Sequence, residues 1–121
     1  MNKKHFTKYM LDMTNIGTIK NPTIIYEYKS SSCGDTFLLH LLIKNEKIID
    51  VKYKIYGCPG IMCGCAVTSE YIKNLNIKDI LNIEEKEILN YLENLPDDYK
   101  KCSLTMLKIL KNDIFVKTAQ K

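Results

Sequence analysis

Tyr56-Gly57-Cys58-Pro59-Gly60-Ile61-Met62-Cys63-Gly64-Cys65 holds three of the chain's five cysteines in eight residues. It also marks where one hydrophobic period gives way to another. Upstream, Lys47 to Tyr56 alternates, with Ile49, Val51, Tyr53 and Ile55 on one face and Asp50, Lys52 and Lys54 on the other, which predicts a strand with one covered face. Downstream, from Gly60 to about Asn74, Ile61, Cys65, Thr68 and Ile72 share one helical face. Cys58 falls at the junction, with Pro59 suited to the first helical position. A thiol there faces the positive end of a helix dipole, a position that favours the anionic thiolate. A thiolate either attacks or binds metal, so the residues that converge on Cys58 decide the chemistry.

Working outward towards the N-terminus, Asn45-Glu46 reads as a tight hairpin loop that joins Lys47–Tyr56 to the apolar run Thr36–Lys44. Ser30 to Asp35 is a small-residue loop, and Thr23 to Lys29, rich in β-branched and aromatic residues, is the first strand. Phe6, Tyr9, Met10 and Met13 predict an amphipathic helix over residues 4–13, broken by Thr14–Thr18, with a further turn at Asn21-Pro22. Towards the C-terminus, residues 76–81 and 84–93 read as short helices and residues 95–98 as a loop. The last helix is expected to open near Cys102-Ser103 and to run through Leu104, Leu107, Leu110 and Ile114. The order predicts an α+β fold, a three-stranded antiparallel sheet packed against helices. A chain of 121 residues is expected to form a single domain over 1–121 without disulfide staples.

The net charge of +4 comes from eighteen lysines and no arginine. Arginine is the usual reader of phosphate and guanine, and the lysines are spread rather than clustered, so they read as solvated faces and no nucleic-acid partner is expected. No apolar run is long enough for a signal peptide or a membrane span. The expectation is a cytoplasmic protein with reduced thiols, in which an odd number of cysteines suits a metal or reactive site better than a disulfide framework.

Cys33 lies in the loop before the second strand, Cys58 follows the third, and Cys102 is expected at the start of the last helix. They are too far apart in sequence for a local knuckle, but element ends and loops can meet at one end of a sheet. Asp35 adds a carboxylate close to Cys33. Three thiolates and a carboxylate suit tetrahedral zinc or an iron–sulfur cluster, while buried structural cysteine is the plainer reading of the same residues. Cys65 shares a face with Ile61 and Ile72 and reads as core. Cys63 is an extra ligand, a persulfide relay or a small buried side chain. His40, inside a strand, reads as packed or solvent-facing, and His5 lies in a terminal segment prone to fray.

Several of these pieces together resemble the IscU/NifU N-terminal family of iron–sulfur cluster assembly scaffolds. The matching residues are Asn15-Ile16-Gly17, Cys33-Gly34-Asp35, the Tyr56-Gly57-Cys58 turn with its small-residue helix ending in Thr68-Ser69-Glu70-Tyr71-Ile72-Lys73, and Cys102-Ser103-Leu104. The resemblance runs from about Phe6 to Ile114. It implies the SufE/NifU type of fold and a non-enzymatic scaffold. Cys33, Cys58 and Cys102 would take sulfur from a cysteine desulfurase as persulfide and hold a [2Fe–2S] cluster or iron. Asp35 would ligate the metal and keep the cluster labile enough to pass to recipient apo iron–sulfur proteins. Zinc can occupy the same ligands.

The chain departs from the family pattern in three places. Lys101 stands before Cys102 where the Isc-type scaffold has histidine, which resembles the SufU branch and its zinc-dependent sulfur transfer, although that branch's long insertion before Cys102 is missing. A protonated lysine cannot ligate a metal; Lys101 either offsets thiolate charge beside the ligands or is one more surface lysine of a lysine-rich chain. Leu95-Pro96-Asp97-Asp98-Tyr99 replaces the Leu-Pro-Pro-Val-Lys segment gripped by an Hsp70-type chaperone, so chaperone docking does not carry over with the rest. Cys63 and Cys65 stand where the family has small residues. The sequence therefore supports a cluster scaffold first, a SufU-like zinc sulfur-transfer protein second, and a zinc-stabilised structural domain third.

Overall fold

The computed structural model describes residues 1–30 and 34–119, the last five of these by their backbone alone. A short strand, β1 (Lys4–His5), runs directly into helix α1 (Phe6–Met10). The helix is shorter than its apolar spacing predicts. The Asp12 carboxylate accepts both the backbone N–H (2.9 Å) and the hydroxyl (2.6 Å) of Thr14, a local turn that competes with further helix.

Strands β2 (Ile24–Lys29), β3 (Thr36–Lys44) and β4 (Lys47–Tyr56) form the predicted antiparallel sheet in the order β2-β3-β4. Asn45 and Glu46 both take positive φ (53° and 63°), as the two-residue loop between β3 and β4 requires. One feature of β4 escapes the alternation rule. Leu42 pairs with Asp50 but Ile43 pairs with Ile48, so Ile49 has no opposite number. The bulge shifts the face of the strand, and Ile48 is buried where the pattern predicts Ile49.

Ile24, Tyr26, Phe37, Leu39, Leu41, Val51 and Tyr53 bury the inner face of the sheet. Against it lies α2 (Pro59–Ile72), flanked also by α1 and by the two C-terminal helices. Every residue from Cys63 to Ser69 is buried. This helix is therefore central, not a one-faced surface helix, and its glycines, alanine and cysteines are what let neighbours close on several sides. Each fully buried Ile, Leu or Val in this core contributes about 1.5–3 kcal/mol.

The chain continues through α3 (Ile77–Ile80), α4 (Glu85–Leu89), β5 (Leu92–Glu93), α5 (Asp97–Ser103) and α6 (Thr105–Ala119). β5 pairs in parallel with β1, Lys4 opposite Leu92. The segment expected to be a loop and the start of the last helix is instead a separate helix, α5. Pro96 precedes it, Asp97 and Asp98 occupy its first turn, and Lys100 and Lys101 its last, an arrangement that suits the helix dipole at both ends. Lys100 Nζ also reaches Asp97 Oδ1 at 2.7 Å. Cys102 thus lies in the final turn of α5 rather than opening α6. The architecture is α+β, and no helix among the described residues is long and apolar enough to cross a membrane.

Candidate metal centre

The register of the sheet builds the site. Thr36, the first residue of β3, pairs with Tyr56, the last of β4. Asp35, just before β3, therefore lies beside Gly57 and Cys58, just after β4. Cys58 is the N-cap of α2, with Pro59 behind it and no side-chain cap bond. α5 delivers Cys102 to the same end. One ligand atom each from Asp35, Cys58 and Cys102 lie within 4.8 Å of one another.

Asp35 is 3% exposed, and a carboxylate so buried needs donors. Its Oδ1 accepts the backbone N–H of Cys58 at 2.9 Å, and its Oδ2 accepts the Cys58 thiol at 3.6 Å. A cation placed between the thiol and the carboxylate would satisfy both groups at once. Cys58 and Cys102 are half-buried, so they remain reachable while partly shielded from water. Two soft sulfurs and one hard oxygen form a donor set that suits zinc or iron.

Three glycines make the approach possible. A Cβ on Gly57 would lie 2.6 Å from Asp35 Oδ1 and 2.8 Å from Ile61 Cγ2, so any side chain there would force the carboxylate or Ile61 to shift. On Gly60 it would lie 2.8 Å from Tyr99 Cβ, and on Gly64 2.1 Å from the Ser103 carbonyl oxygen. Gly60 and Gly64 are one helical turn apart, on the face of α2 that meets α5. Contact of backbone against backbone along this face sets Cys102 beside Cys58. The spacing Gly60-x-x-x-Gly64 was the available signal for this packing.

Cys63 and Cys65 are fully buried. The Cys63 thiol donates to the Gly60 carbonyl at 3.3 Å, and burial pushes its pKa up to about 12. Burial, with neighbouring Cys63 next in weight, holds Cys65 well above the ordinary thiol range. Both are therefore neutral thiols at physiological pH, and neither belongs to the cluster with Asp35. We expect iodoacetamide at about pH 8 to alkylate Cys58 and Cys102 in the native apoprotein and Cys63 and Cys65 only after unfolding, as read by peptide mass spectrometry. Because the folded pKa of Cys63 is raised, its burial costs nothing below pH 9 and erodes stability as pH climbs towards 12.

Cys33 lies outside the described residues. Lys101 is exposed on α5. His40 is buried, and its Nδ1 accepts the backbone N–H of Ile19 at 3.1 Å, so it packs within the fold. His5 is exposed and bonds the hydroxyl of Thr7. Asn15, noted from the sequence only as part of a motif shared with the resembled family, is buried. Its carbonyl accepts the N–H of Tyr53 (2.9 Å), its amide donates to Ser69 Oγ (3.2 Å), and its Oδ1 accepts Lys73 Nζ (2.7 Å). One residue thus ties the N-terminal segment to β4 through its backbone carbonyl and to α2 through its side chain. Asparagine is also common in plain turns, so its identity alone did not signal this.

The model of the family described as NifU-like N terminal domain matches residues 1–119. Among curated proteins, the chain is 30% identical over 91 residues to the nitrogen fixation protein NifU of Nostoc sp., a match covering 74% of this chain and 30% of that protein. It is 26% identical over 104 residues to the iron–sulfur cluster assembly scaffold protein IscU of Aquifex aeolicus, covering 84% of this chain and 66% of the relative. The chain thus spans about a third of the length of that NifU and under two thirds of that IscU. Among solved structures, the N-terminal NifU-like protein from Brucella abortus superposes with a TM-score of 0.79 at 15% identity, covering 98% of this chain and 94% of the other, a likeness of fold.

Proposed function

The chain belongs to the NifU-like N-terminal domain family, and from that premise we propose that it is a scaffold on which a [2Fe–2S] cluster is assembled and from which it is handed on. The observation that carries this reading is the meeting of Asp35, Cys58 and Cys102 at one end of the sheet, with ligand atoms within 4.8 Å. Cys33 is proposed as the remaining ligand. The cluster is cargo: iron arrives from solution, and sulfur arrives from a cysteine desulfurase. A scaffold thiolate attacks the outer sulfur of the donor persulfide, forms the new S–S bond and releases the donor's own thiolate; two electrons from a thiol reductant then free that sulfur as sulfide and restore the scaffold thiol. A hard oxygen among sulfur ligands suits a site that must release what it holds to recipient apoproteins.

A second reading, zinc-dependent sulfur transfer, is favoured by Lys101, whose ammonium cannot ligate a metal and can offset the charge of a zinc–thiolate centre. One experiment separates the two. The protein and Cys102→Ala are reconstituted anaerobically with iron, cysteine and a cysteine desulfurase, then analysed for visible absorption and metal. The scaffold predicts sulfur-to-iron charge-transfer bands with about two iron and two sulfide per cluster, lost in the variant. Tightly held zinc, no colour and a stimulated desulfurase would replace it with the second reading. Neither metal nor stimulation would remove both.

A further inference from the structure

Helix α5 is short, exposed on its outer face, and meets the rest of the fold chiefly along α2. It is seven residues long, its N-cap Pro96 offers no side-chain bond, and Asp97, Asp98, Lys100 and Lys101 are all exposed. Its only buried residue is Ser103, which rests on Gly64. At the opposite end stands Tyr99, half-buried and one turn before Cys102 on the same side of the helix.

Tyr99 meets both Gly60 and Phe6. Its Cβ and backbone lie against Gly60, two residues beyond Cys58, with room for no side chain between them. Its ring lies against Phe6, centroids 6.2 Å apart and planes tilted by 50°. Phe6 is itself held from behind. The Lys4 N–H donates to the Tyr91 carbonyl at 3.1 Å, β1 pairs with β5, and the Tyr9 hydroxyl donates to the Asn2 carbonyl. Cys102 is therefore carried between two supports, Ser103 on Gly64 and Tyr99 between Gly60 and Phe6.

We propose that Tyr99, backed by Phe6, is a positioning residue for the centre: it clamps the first turn of α5 so that Cys102 is held beside Cys58 before any metal arrives. The proposal deepens the metal-site reading and rests on it for its purpose, although the placement of Cys102 can be read without a metal. A side chain that acts by orienting a ligand is worth about 10–100-fold in metal affinity when removed.

The test uses Tyr99→Ala, Tyr99→Phe and Phe6→Ala, with Ile80→Ala as a destabilised variant altered far from the site. Each is made in a Cys33→Ser chain, so that Cys58 and Cys102 are the reachable pair. Phenylarsine oxide, which bridges two adjacent thiols with loss of water, reports their proximity in the metal-free protein. Cobalt(II) titration reports metal affinity and, through its thiolate charge-transfer band, sulfur ligands per metal. Tyr99→Ala is expected to weaken arsenical and cobalt binding about tenfold and to reduce the thiolate band per cobalt. Tyr99→Phe should restore both, Phe6→Ala should fall between, and Ile80→Ala should change neither despite a lower Tm. A folded Tyr99→Ala or Phe6→Ala with unchanged arsenical capture would overturn the proposal, as would equal losses in Ile80→Ala. Tyr99-dependent arsenical capture without any cobalt binding in the parent would uphold the clamp and reject the metal-site reading.

Discussion

Gly64→Val is expected to destabilise the protein by about 3 kcal/mol, the upper part of the usual overpacking range, lowering Tm by roughly 10 °C. It should also remove Cys102 from the centre. The cause is specific. A Cβ at position 64 would stand 2.1 Å from the Ser103 carbonyl oxygen, closer than any contact distance, and the atoms it meets are backbone, which cannot rotate away. α2 cannot yield, because every residue from Cys63 to Ser69 is enclosed. α5 is the shorter and more exposed partner and must move, taking Cys102 with it. Thermal unfolding followed by circular dichroism measures the first effect, and arsenical capture or metal titration the second. Gly64→Ala should show the same two effects in weaker form. A Gly64→Val protein that melts like its parent and keeps Cys58 and Cys102 together would show that the helices do not touch there.

Asp35 gives the second large effect, and two substitutions divide it. Asp35→Ala removes the acceptor for the Cys58 N–H together with a proposed ligand, and should cost about 1–3 kcal/mol of stability. Asp35→Asn keeps a carbonyl oxygen for that N–H but removes the negative charge. It should melt close to the parent while binding divalent metal at least about tenfold more weakly. Parallel melting and cobalt titration of both variants are the measurement. If Asp35→Asn binds cobalt as the parent does, the carboxylate serves only to hold the turn, and Cys58 and Cys102 need a different third ligand.

Much of this could be read from residues alone. The alternation of Lys47–Tyr56, the Asn45-Glu46 loop and the break at Cys58-Pro59 gave the sheet, the hairpin and the helix start because each rests on local rules. The bulge at Ile49 was not legible, since it depends on how two strands slide past each other rather than on either pattern. α5 was missed because Pro96 and two aspartates look like loop chemistry until their place ahead of a helix is known. For the site, the residue types and the family resemblance pointed to Asp35, Cys58 and Cys102 together. What they did not reveal was the means of convergence: Gly57 making room for a carboxylate, and Gly60 and Gly64 admitting a second backbone. The spacing of Gly60 and Gly64 was a signal of close packing, but what each glycine admits appears only when the neighbour is in place.

The parallel pairing of Lys4 with Leu92 has a bearing on the order of events during synthesis. The hairpin of β3 and β4 joins neighbours in sequence and can form as soon as its residues leave the ribosome, whereas residue 4 must wait for residue 92. Cys102 follows later still. A growing chain therefore presents Cys58 and Asp35 well before the helix that completes their group exists. Until α5 has emerged, the two early residues meet solvent without their partner.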